Sequence, residues 1–359
     1  MILENVTYVP TLAIRASEMN GLEFLPGATK DRMTPCFLLA PWANSKTLDR
    51  AITRIERAFP NRHYFLDIDR NYQTTNDQSV AQQEYMSLLD DGDAFRNWIA
   101  FVTKYEWVWP CVQIEGQSER EIRRQIEAIQ SLRRPYCMRV SLNVLPININ
   151  EIVQAFAADG SADFAIILEG GWTDDPLTFF PRFTGFIRET LAPINAAVPV
   201  VCSCTSIPKI FTEFNSDNPI LVEFSNRQLL EQISRNTNRE TVIYGDWGST
   251  RPREPGGFAN RPLDRIDYPM DRGWYIARNK DKGWDFCKAA KAIVNSEGWD
   301  GELGIWGEEL IQQTTINEEL GIDTPQKNVA ARVNIHLHKQ AFFGEGRIDP
   351  IAFEEDWED

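Results

Sequence analysis

Acidic residues recur at the ends of short apolar segments of this chain. Asp67 and Asp69 lie two residues apart in the segment FLDID, so both side chains point to one face if the segment is a strand. Such a pair could hold a divalent cation with water, or could transfer protons as an acid and a base. Asp69 could instead only cap the following loop. Acidic residues also end other apolar segments: Glu115, Glu169, Glu223 and Asp246.

Carboxylates that crowd together repel one another unless cations lie between them. Two arginines are candidate partners, because Arg15 ends the first apolar segment and Arg139 lies inside the fifth. A buried arginine within a strand requires a carboxylate or a phosphate. We therefore predict a cluster whose catalytic residues are Asp67, Asp69, Glu169, Glu223 and Asp246.

Hydroxyl groups and further basic residues complete the predicted site. Ser203 and Ser206 lie at the end of the seventh predicted strand, where barrel enzymes often bind phosphate. The predicted substrate- or anion-binding residues are Arg15, Glu18, Arg139, Ser203, Ser206, Arg278 and His336. No G-x-S-x-G, Walker or H-E-x-x-H motif occurs. The metal, if any, is left undetermined.

Histidines are scarce, with three in the whole chain. The apolar-alternating segment Val329–Leu337 is predicted to be a strand. His336 lies in it and His338 follows it directly, so the two would share one face of this late strand. A two-histidine metal site and a pair in the core or on the surface are the alternatives.

Eight short apolar segments recur about every thirty residues, and most are followed by a helical pattern. Near-continuous apolar strands alternating with helices indicate a parallel sheet buried on both faces. We predict a (β/α)8 TIM-type barrel, with chemistry at the carboxyl ends of its strands. The strands are predicted at Thr11–Arg15, Pro35–Pro41, His63–Asp69, Pro110–Gly116, Tyr136–Asn143, Asp163–Gly170, Pro199–Cys204 and Ile220–Asn226.

The barrel is expected to span residues 1–237, and a C-terminal α+β extension packed on it is expected to span residues 238–359. A ninth apolar segment, Thr241–Trp247, is either an extra strand or the true eighth strand. The Pro-, Gly- and Arg-rich stretch Ser249–Pro262 predicts a long loop. Helices are predicted on both sides of Asp90–Asp93 and over Lys282–Asn295.

Composition limits the classes of partner. The formal net charge of −15 disfavours nonspecific binding of duplex nucleic acid, which needs a basic face. The N-terminal sequence lacks the basic and apolar regions of a signal peptide, and no stretch is apolar enough to span a membrane. Six scattered cysteines are expected to be buried, reduced thiols in a cytoplasmic protein.

Several short motifs, in order along nearly the whole chain, resemble those of the phage and bacterial Beta protein family. They are YVP at 8–10 with Arg15 and Glu18, FLDID at 65–69, Ser203 with SIP at 206–208, YGDW at 244–247, DY at 267–268, WYIAR at 274–278 and RVNIHL at 332–337. The resemblance implies a family met in phages and in bacterial genomes, often near defence-type genes. It implies no particular reaction and transfers no catalytic residues.

Two positions depart from the family pattern. The family usually has lysine where Arg15 stands and a histidine pair where Ile335 and His336 stand. The second departure weakens any two-histidine mechanism for this chain.

Two functions from different classes remain open at this stage. The first is a hydrolase, metal-assisted or using carboxylates as acid and base, that acts on a phosphorylated or nucleotide-like small molecule. The second is a non-catalytic module that binds a protein partner in phage–host conflict. Strand-end charges that form closed ion pairs with no cavity would favour the second function.

Overall fold

The computed structural model describes residues 2–74, 78–158, 160, 163–254, 263–281 and 283–345. The chain divides into two compact units, and each is built from three separate segments of sequence. The first unit comprises Met1–Ile14, Thr34–Ile207 and Ser225–Pro255. The second comprises Arg15–Met33, Pro208–Phe224 and Gly256–Asp359.

The described residues form eleven strands. Their bounds are β1 (Tyr8–Ala13), β2 (Cys36–Leu39), β3 (Tyr64–Ile68), β4 (Val108–Pro110), β5 (Tyr136–Ser141), β6 (Phe164–Trp172), β7 (Val200–Thr205), β8 (Ile220–Glu223), β9 (Val242–Asp246), β10 (Arg265–Met270) and β11 (Gly273–Arg278).

The same residues form twelve α-helices, with short 3₁₀ and π-helical turns around the eighth. Their bounds are α1 (Ala16–Glu23), α2 (Gly27–Lys30), α3 (Asp49–Ala58), α4 (Val80–Leu88), α5 (Gly92–Val102), α6 (Glu119–Gln130), α7 (Ile149–Ala157), α8 (Phe180–Gly185), α9 (Asn226–Arg235), α10 (Phe286–Val294), α11 (Trp306–Thr314) and α12 (Pro325–Ala341).

The first unit is an eight-stranded, all-parallel sheet that is nearly closed into a TIM-like barrel. Its strand order is β4-β3-β2-β1-β9-β7-β6-β5. The two end strands approach each other through a parallel bridge between Cys111 and Cys137. There the Val112 amide donates a 2.9 Å hydrogen bond to the Cys137 carbonyl. This strand order, with every pair parallel, confirms the predicted barrel. Near-continuous apolar strands are typical of a parallel sheet that is covered on both faces.

Alternate residues of the barrel strands form two separate apolar layers. Val9, Phe65, Ile167 and Val201 belong to the inner cluster. Their sequence neighbours pack outward with the helices, where α6 contributes Ile122, Ile126 and Ile129. Helix α6 begins at the predicted capping box, in which the Ser118 hydroxyl accepts from the Glu121 amide. Charged residues at inward positions near the strand ends therefore meet above the inner cluster.

The predicted eighth barrel strand is wrong, and the ninth apolar segment takes its place. Strand β9 lies between β1 and β7 in the barrel. Strand β8 instead pairs antiparallel with β11. The physical difference is burial, because four of the five β9 residues are buried, whereas β8 alternates half-buried and exposed residues. Such alternation is typical of an antiparallel sheet with one covered face.

The second unit contains the three-stranded antiparallel sheet β10-β11-β8. Its core joins residues of β10 and β11, such as Ile266 and Ala277, to α10, α11 and α12. Helix α12 also approaches α1 closely. Asn334 Nδ2 donates to the Gly21 carbonyl at 2.8 Å, and a Cβ on Gly21 would lie 2.7 Å from the Ala330 carbonyl oxygen.

The predicted late strand is also wrong, because Val329–Leu337 lies within α12. Thr324 caps this helix by accepting from the Lys327 amide, and Pro325 occupies its first turn. Most residues of α12 are buried, so the sequence lacks the polar face that identifies an amphipathic helix. Residues two apart on a helix differ by about 200° in direction, so His336 and His338 do not share a face.

The two helices predicted around Asp90–Asp93 are confirmed as α4 and α5, and the helix predicted over Lys282–Asn295 is α10. Residues 255–262 of the predicted long loop lie outside the described residues. Packing of residues 238–359 on the barrel stays a prediction. Within the described ranges, none of the helices combines the length and the apolar composition that crossing a bilayer requires.

Candidate functional site

A cavity of about 730 Å³ lies at the carboxyl ends of the barrel strands. Most of the lining side chains come from a strand end or from the loop that follows it, as is typical of a parallel barrel. The polar, charged and aromatic side chains that line it include Asp67, Asp69, Arg70, Gln113, Arg139, Glu169, Trp172 and Trp247.

Arg139 lies between two carboxylates in this cavity. Its Nη1 is 3.1 Å from Asp67 Oδ2, and its Nη2 is 3.6 Å from Glu169 Oε2. Its guanidinium also lies 5.9 Å from the ring centre of Trp247. Burial alone would lower the pKa of Arg139, but the two carboxylates outweigh it and raise the pKa. Arg139 therefore remains a fixed positive charge between two acids.

Glu169 is nearly inaccessible to solvent and accepts hydrogen bonds on both oxygens. Oε1 accepts from Trp247 Nε1 at 2.8 Å and from the Gly171 amide at 2.9 Å, and Oε2 accepts from the Ser203 hydroxyl at 3.3 Å. Burial nevertheless raises the pKa of Glu169, because these donors and Arg139 offset only part of the cost of burying its charge. A carboxyl group with a raised pKa keeps its proton to higher pH than an ordinary carboxyl group and is therefore suited to act as a proton donor.

Asp67 is held by two further donors. Its Oδ1 accepts from Gln113 Nε2 and from the Ile68 amide, both at 2.8 Å. Gln113 Oε1 in turn accepts from Arg70 Nη2 at 2.9 Å. The side chain of Asp67 is thus fixed in one orientation beside Arg139.

Asp69 lines the same cavity but pairs with a different arginine. Arg253 Nε donates to Asp69 Oδ2. The two aspartates predicted as a pair therefore each contact their own arginine. Among the described residues, no group of three or more His, Cys, Asp or Glu side chains is arranged to hold a metal ion.

Asp246 does not join this cluster. Trp247 points into the barrel, where it bonds Glu169, so its neighbour Asp246 points to the opposite face of the strand. There the carboxylate accepts from the hydroxyls of Tyr8 and Tyr244 and from the Gly248 amide.

Ser203 and Ser206 also separate. Ser203 bonds Glu169, whereas the Ser206 hydroxyl donates to Asn226 Oδ1 at 2.9 Å. Asn226 begins α9, and its Nδ2 donates to the Cys204 carbonyl. Ser206 therefore anchors a helix start, and it does not line the cavity.

The remaining predicted site residues belong to the second unit. Arg15 pairs with the buried Glu18 at 3.3 Å on the first turn of α1. Glu223 is exposed on β8, and Arg278 ends β11. His336 is buried in α12, with its ring centre 6.3 Å from that of Phe224. The catalytic or binding role assigned to each of them stays a prediction.

The chain matches the sequence pattern of the Beta protein family over residues 8–342. It belongs to the Beta protein family. A full-length relative is protein beta of enterobacteria phage P4, which is 26% identical over 365 residues, covering 99% of this chain and 98% of the phage protein. The resemblance inferred from the short motifs is confirmed, and this Beta protein family member is related to a phage protein.

Sequence reasoning missed three residues that contact the predicted acidic residues in this Beta protein family member. Gln113 orients Asp67, Trp247 bonds Glu169, and Arg253 neutralises Asp69. The sequence could have indicated two of them by their position, because Gln113 lies in the fourth apolar segment and Trp247 ends the ninth. Arg253 comes from the Pro- and Arg-rich loop, and the sequence gives no indication of which arginine in that loop turns inward.

The hydroxyl of Tyr8 provides a test of the separate Asp246 cluster. Because Tyr8 is fully buried, the Tyr8→Phe variant leaves a carboxylate oxygen with one donor fewer. We expect this to lower the free energy of unfolding by about 1–2 kcal/mol, measured by urea denaturation. Tyr275→Phe is the control, since no described residue bonds the Tyr275 hydroxyl, and it should remain within about 0.5 kcal/mol of the wild type. Equal stability of the two variants would contradict this account of Asp246.

Proposed function

We propose that this Beta protein family member hydrolyses a phosphorylated or nucleotide-like small molecule, and that it acts in phage biology or in defence against phages. The observation that supports the reaction is the cavity of about 730 Å³ lined by Asp67, Arg139 and Glu169. The charged side chains of this cavity already form ion pairs with one another, yet these pairs border a space large enough for a small ligand.

In the proposed mechanism, Asp67 is the base and Glu169 is the acid. Asp67 accepts a proton from the attacking water while the water oxygen forms its bond to the electrophilic atom of the substrate. As the bond to the leaving oxygen breaks, Glu169 donates its proton to that oxygen. Product release and exchange of one proton with solvent restore both groups. The raised pKa of Glu169 supports its assignment as the acid.

Arg139 is proposed to bind the anionic group of the substrate. Its contact with Glu169, at 3.6 Å, is longer than its 3.1 Å contact with Asp67. When Glu169 is protonated, this longer ion pair is lost, and Nη2 becomes available to a substrate oxygen. The acid form of Glu169 thus serves both proton donation and anion binding.

Trp172 is proposed to bind the apolar or aromatic part of the substrate. Its indole Nε1 donates to the Ile207 carbonyl at 2.8 Å, which fixes the half-buried ring at the cavity wall. An indole face presented in this way suits stacking with a base. The cysteines are all free thiols, which supports the proposal that the protein works in the cytoplasm.

The experiment is a substrate screen with matched variants. Purified wild-type protein is incubated with nucleotides, phosphorylated sugars and phosphorylated cofactors, and products are detected by mass spectrometry. We expect one class to be cleaved, and Asp67→Asn to lower its rate at least about 100-fold. Glu127→Gln, which makes the same carboxylate-to-amide change on the exposed side of α6, should keep the wild-type rate. A cleavage rate unaffected by Asp67→Asn would contradict the mechanism.

One observation favours the alternative, a non-catalytic module that binds a protein partner in phage–host conflict. Three apolar side chains at the cavity rim are exposed, namely Val144 at 78%, Leu145 at 43% and Ile147 at 106%. Exposed apolar side chains grouped in this way are typical of interaction surfaces. Absence of cleavage for the entire screen, with wild-type folding preserved, would favour this alternative.

A further inference from the structure

Two arginines of the second unit lie directly opposite each other in its antiparallel sheet. Arg265 of β10 is in register with Arg278 of β11, so both side chains leave the same face of the sheet. Like charges at directly opposed positions repel and destabilise a sheet. A counter-charge is therefore required nearby.

Arg265 has such a counter-charge in the fold. Its Nε is 2.8 Å from Asp267 Oδ1, and its guanidinium lies 3.5 Å from the ring centre of Phe211. Asp267 is also paired with Arg332 through its other oxygen. Burial raises the pKa of Asp267, but Arg265 and Arg332 outweigh it and lower that pKa. Both carboxylate oxygens are thus engaged by other cations.

Arg278 differs from Arg265, because no carboxylate of the described residues contacts it. Only 8% of Arg278 is exposed, and its Nη1 makes a long 3.4 Å hydrogen bond to the Thr212 carbonyl. A buried cation without a counter-charge costs free energy that a folded protein normally avoids. Burial and the adjacent Arg265 both lower the pKa of Arg278. The lowered pKa has the same cause, because a positive charge is unfavourable at this buried position next to another cation.

The loop that carries Thr212 is tied to the end of β11. The Ser216 amide donates to the Arg278 carbonyl at 3.1 Å, and Asn279 Nδ2 donates to Asp217 Oδ1 at 2.8 Å. Asp217 is therefore fixed by Asn279 rather than by the guanidinium. These contacts hold Arg278 in place whether or not an anion is present.

We propose that Arg278, with Arg265 beside it, binds an oxyanion on the second unit, namely a phosphate or carboxylate group of a small ligand. The anion supplies the counter-charge that none of the described carboxylates provides to Arg278, and the guanidinium fork bonds two of its oxygens. The site consists of residues of one unit and does not depend on the proposed hydrolase.

The first test measures anion binding to the full chain by titration calorimetry. Inorganic phosphate and acetate are used separately, so that the two ligand classes are distinguished. We expect the wild type to bind at least one of them, and Arg278→Met to weaken that binding at least about 10-fold, as loss of a charge-assisted pair requires. The control Arg188→Met, at an exposed position of the first unit, should bind as the wild type does. Absence of binding to the wild type, or unchanged affinity and stoichiometry in Arg278→Met, overturns the proposal.

The second test separates a binding role from a structural one. Without added anion, Arg278→Met removes an uncompensated buried charge, so we expect Tm to rise by roughly 1–3 °C. Phosphate or acetate should then raise the Tm of the wild type but not that of the variant. A fall in Tm, or failure of the variant to fold, would show that Arg278 serves the fold itself and would overturn the proposal.

Discussion

Replacing Arg139 with methionine is expected to lower the free energy of unfolding by about 2–4 kcal/mol. The substitution leaves Asp67 and Glu169 facing each other across the cavity without their shared cation. The expected loss is at the lower end of the range for a broken buried pair, because the Arg139 side chain is 18% exposed and borders the cavity. Urea denaturation at neutral pH measures it, with Arg188→Met as the exposed control.

A second comparison separates lost packing from unpaired charge. Adding Asp67→Asn and Glu169→Gln to Arg139→Met removes both carboxylates, so part of the lost stability should return. If the triple variant is no more stable than Arg139→Met alone, then the effect of Arg139 comes from packing against Trp247 and its neighbours rather than from charge.

Replacing Glu169 with glutamine is expected to lower turnover by about 10²- to 10⁴-fold, because an amide cannot donate the proton that the leaving oxygen needs. The cleavage rate of the wild type should fall as pH rises through the raised pKa of Glu169. The residual rate of Glu169→Gln should lack this fall. Rate profiles measured from pH 4 to 9 test both expectations, and an identical profile in the two proteins would exclude Glu169 as the acid.

The same carboxyl group makes stability depend on pH. Burial raises its pKa in the folded state above the ordinary value of 4.5, so between the two pKa values the folded protein holds a proton that the unfolded chain has lost. The associated stabilisation is complete below about pH 4.5 and is lost as pH rises through the folded pKa. Glu169→Gln should flatten this part of the stability profile, which denaturation at a series of pH values measures.

The sequence predicted the barrel because the fold depends on features that are local in the chain. Strands such as β3 and β6 are largely apolar, with one acidic residue in each, and helices between them such as α6 have clear periodicity. Prediction from the sequence was wrong for elements that are buried by residues distant in the chain. Helix α12 is buried nearly all round, so its pattern imitates a strand, and the four residues of β8 could not be distinguished from a barrel strand by composition alone.

The site was predictable to the extent that charge and strand position determine it. Asp67, Arg139 and Glu169 were predicted to lie together because a buried arginine in a strand needs carboxylates, and the structure brings all three into contact, while their catalytic or binding roles stay predictions. Asp246 was misplaced because a shift of one residue moves a side chain to the other face of a strand. Sequence alone does not fix that register at the end of β9.

The three-segment composition of each unit has a consequence for synthesis on the ribosome. Gly21 of α1 contacts Asn334, which lies 313 residues later in the chain. Helix α1 and all segments of the barrel unit emerge long before α12, so α1 remains without its partner while most of the protein is made. Neither unit can be removed by a single truncation or acquired by a single gene fusion. We therefore expect nascent chains that stop before α12 to expose the face of α1 that is buried in the folded protein and to require chaperones.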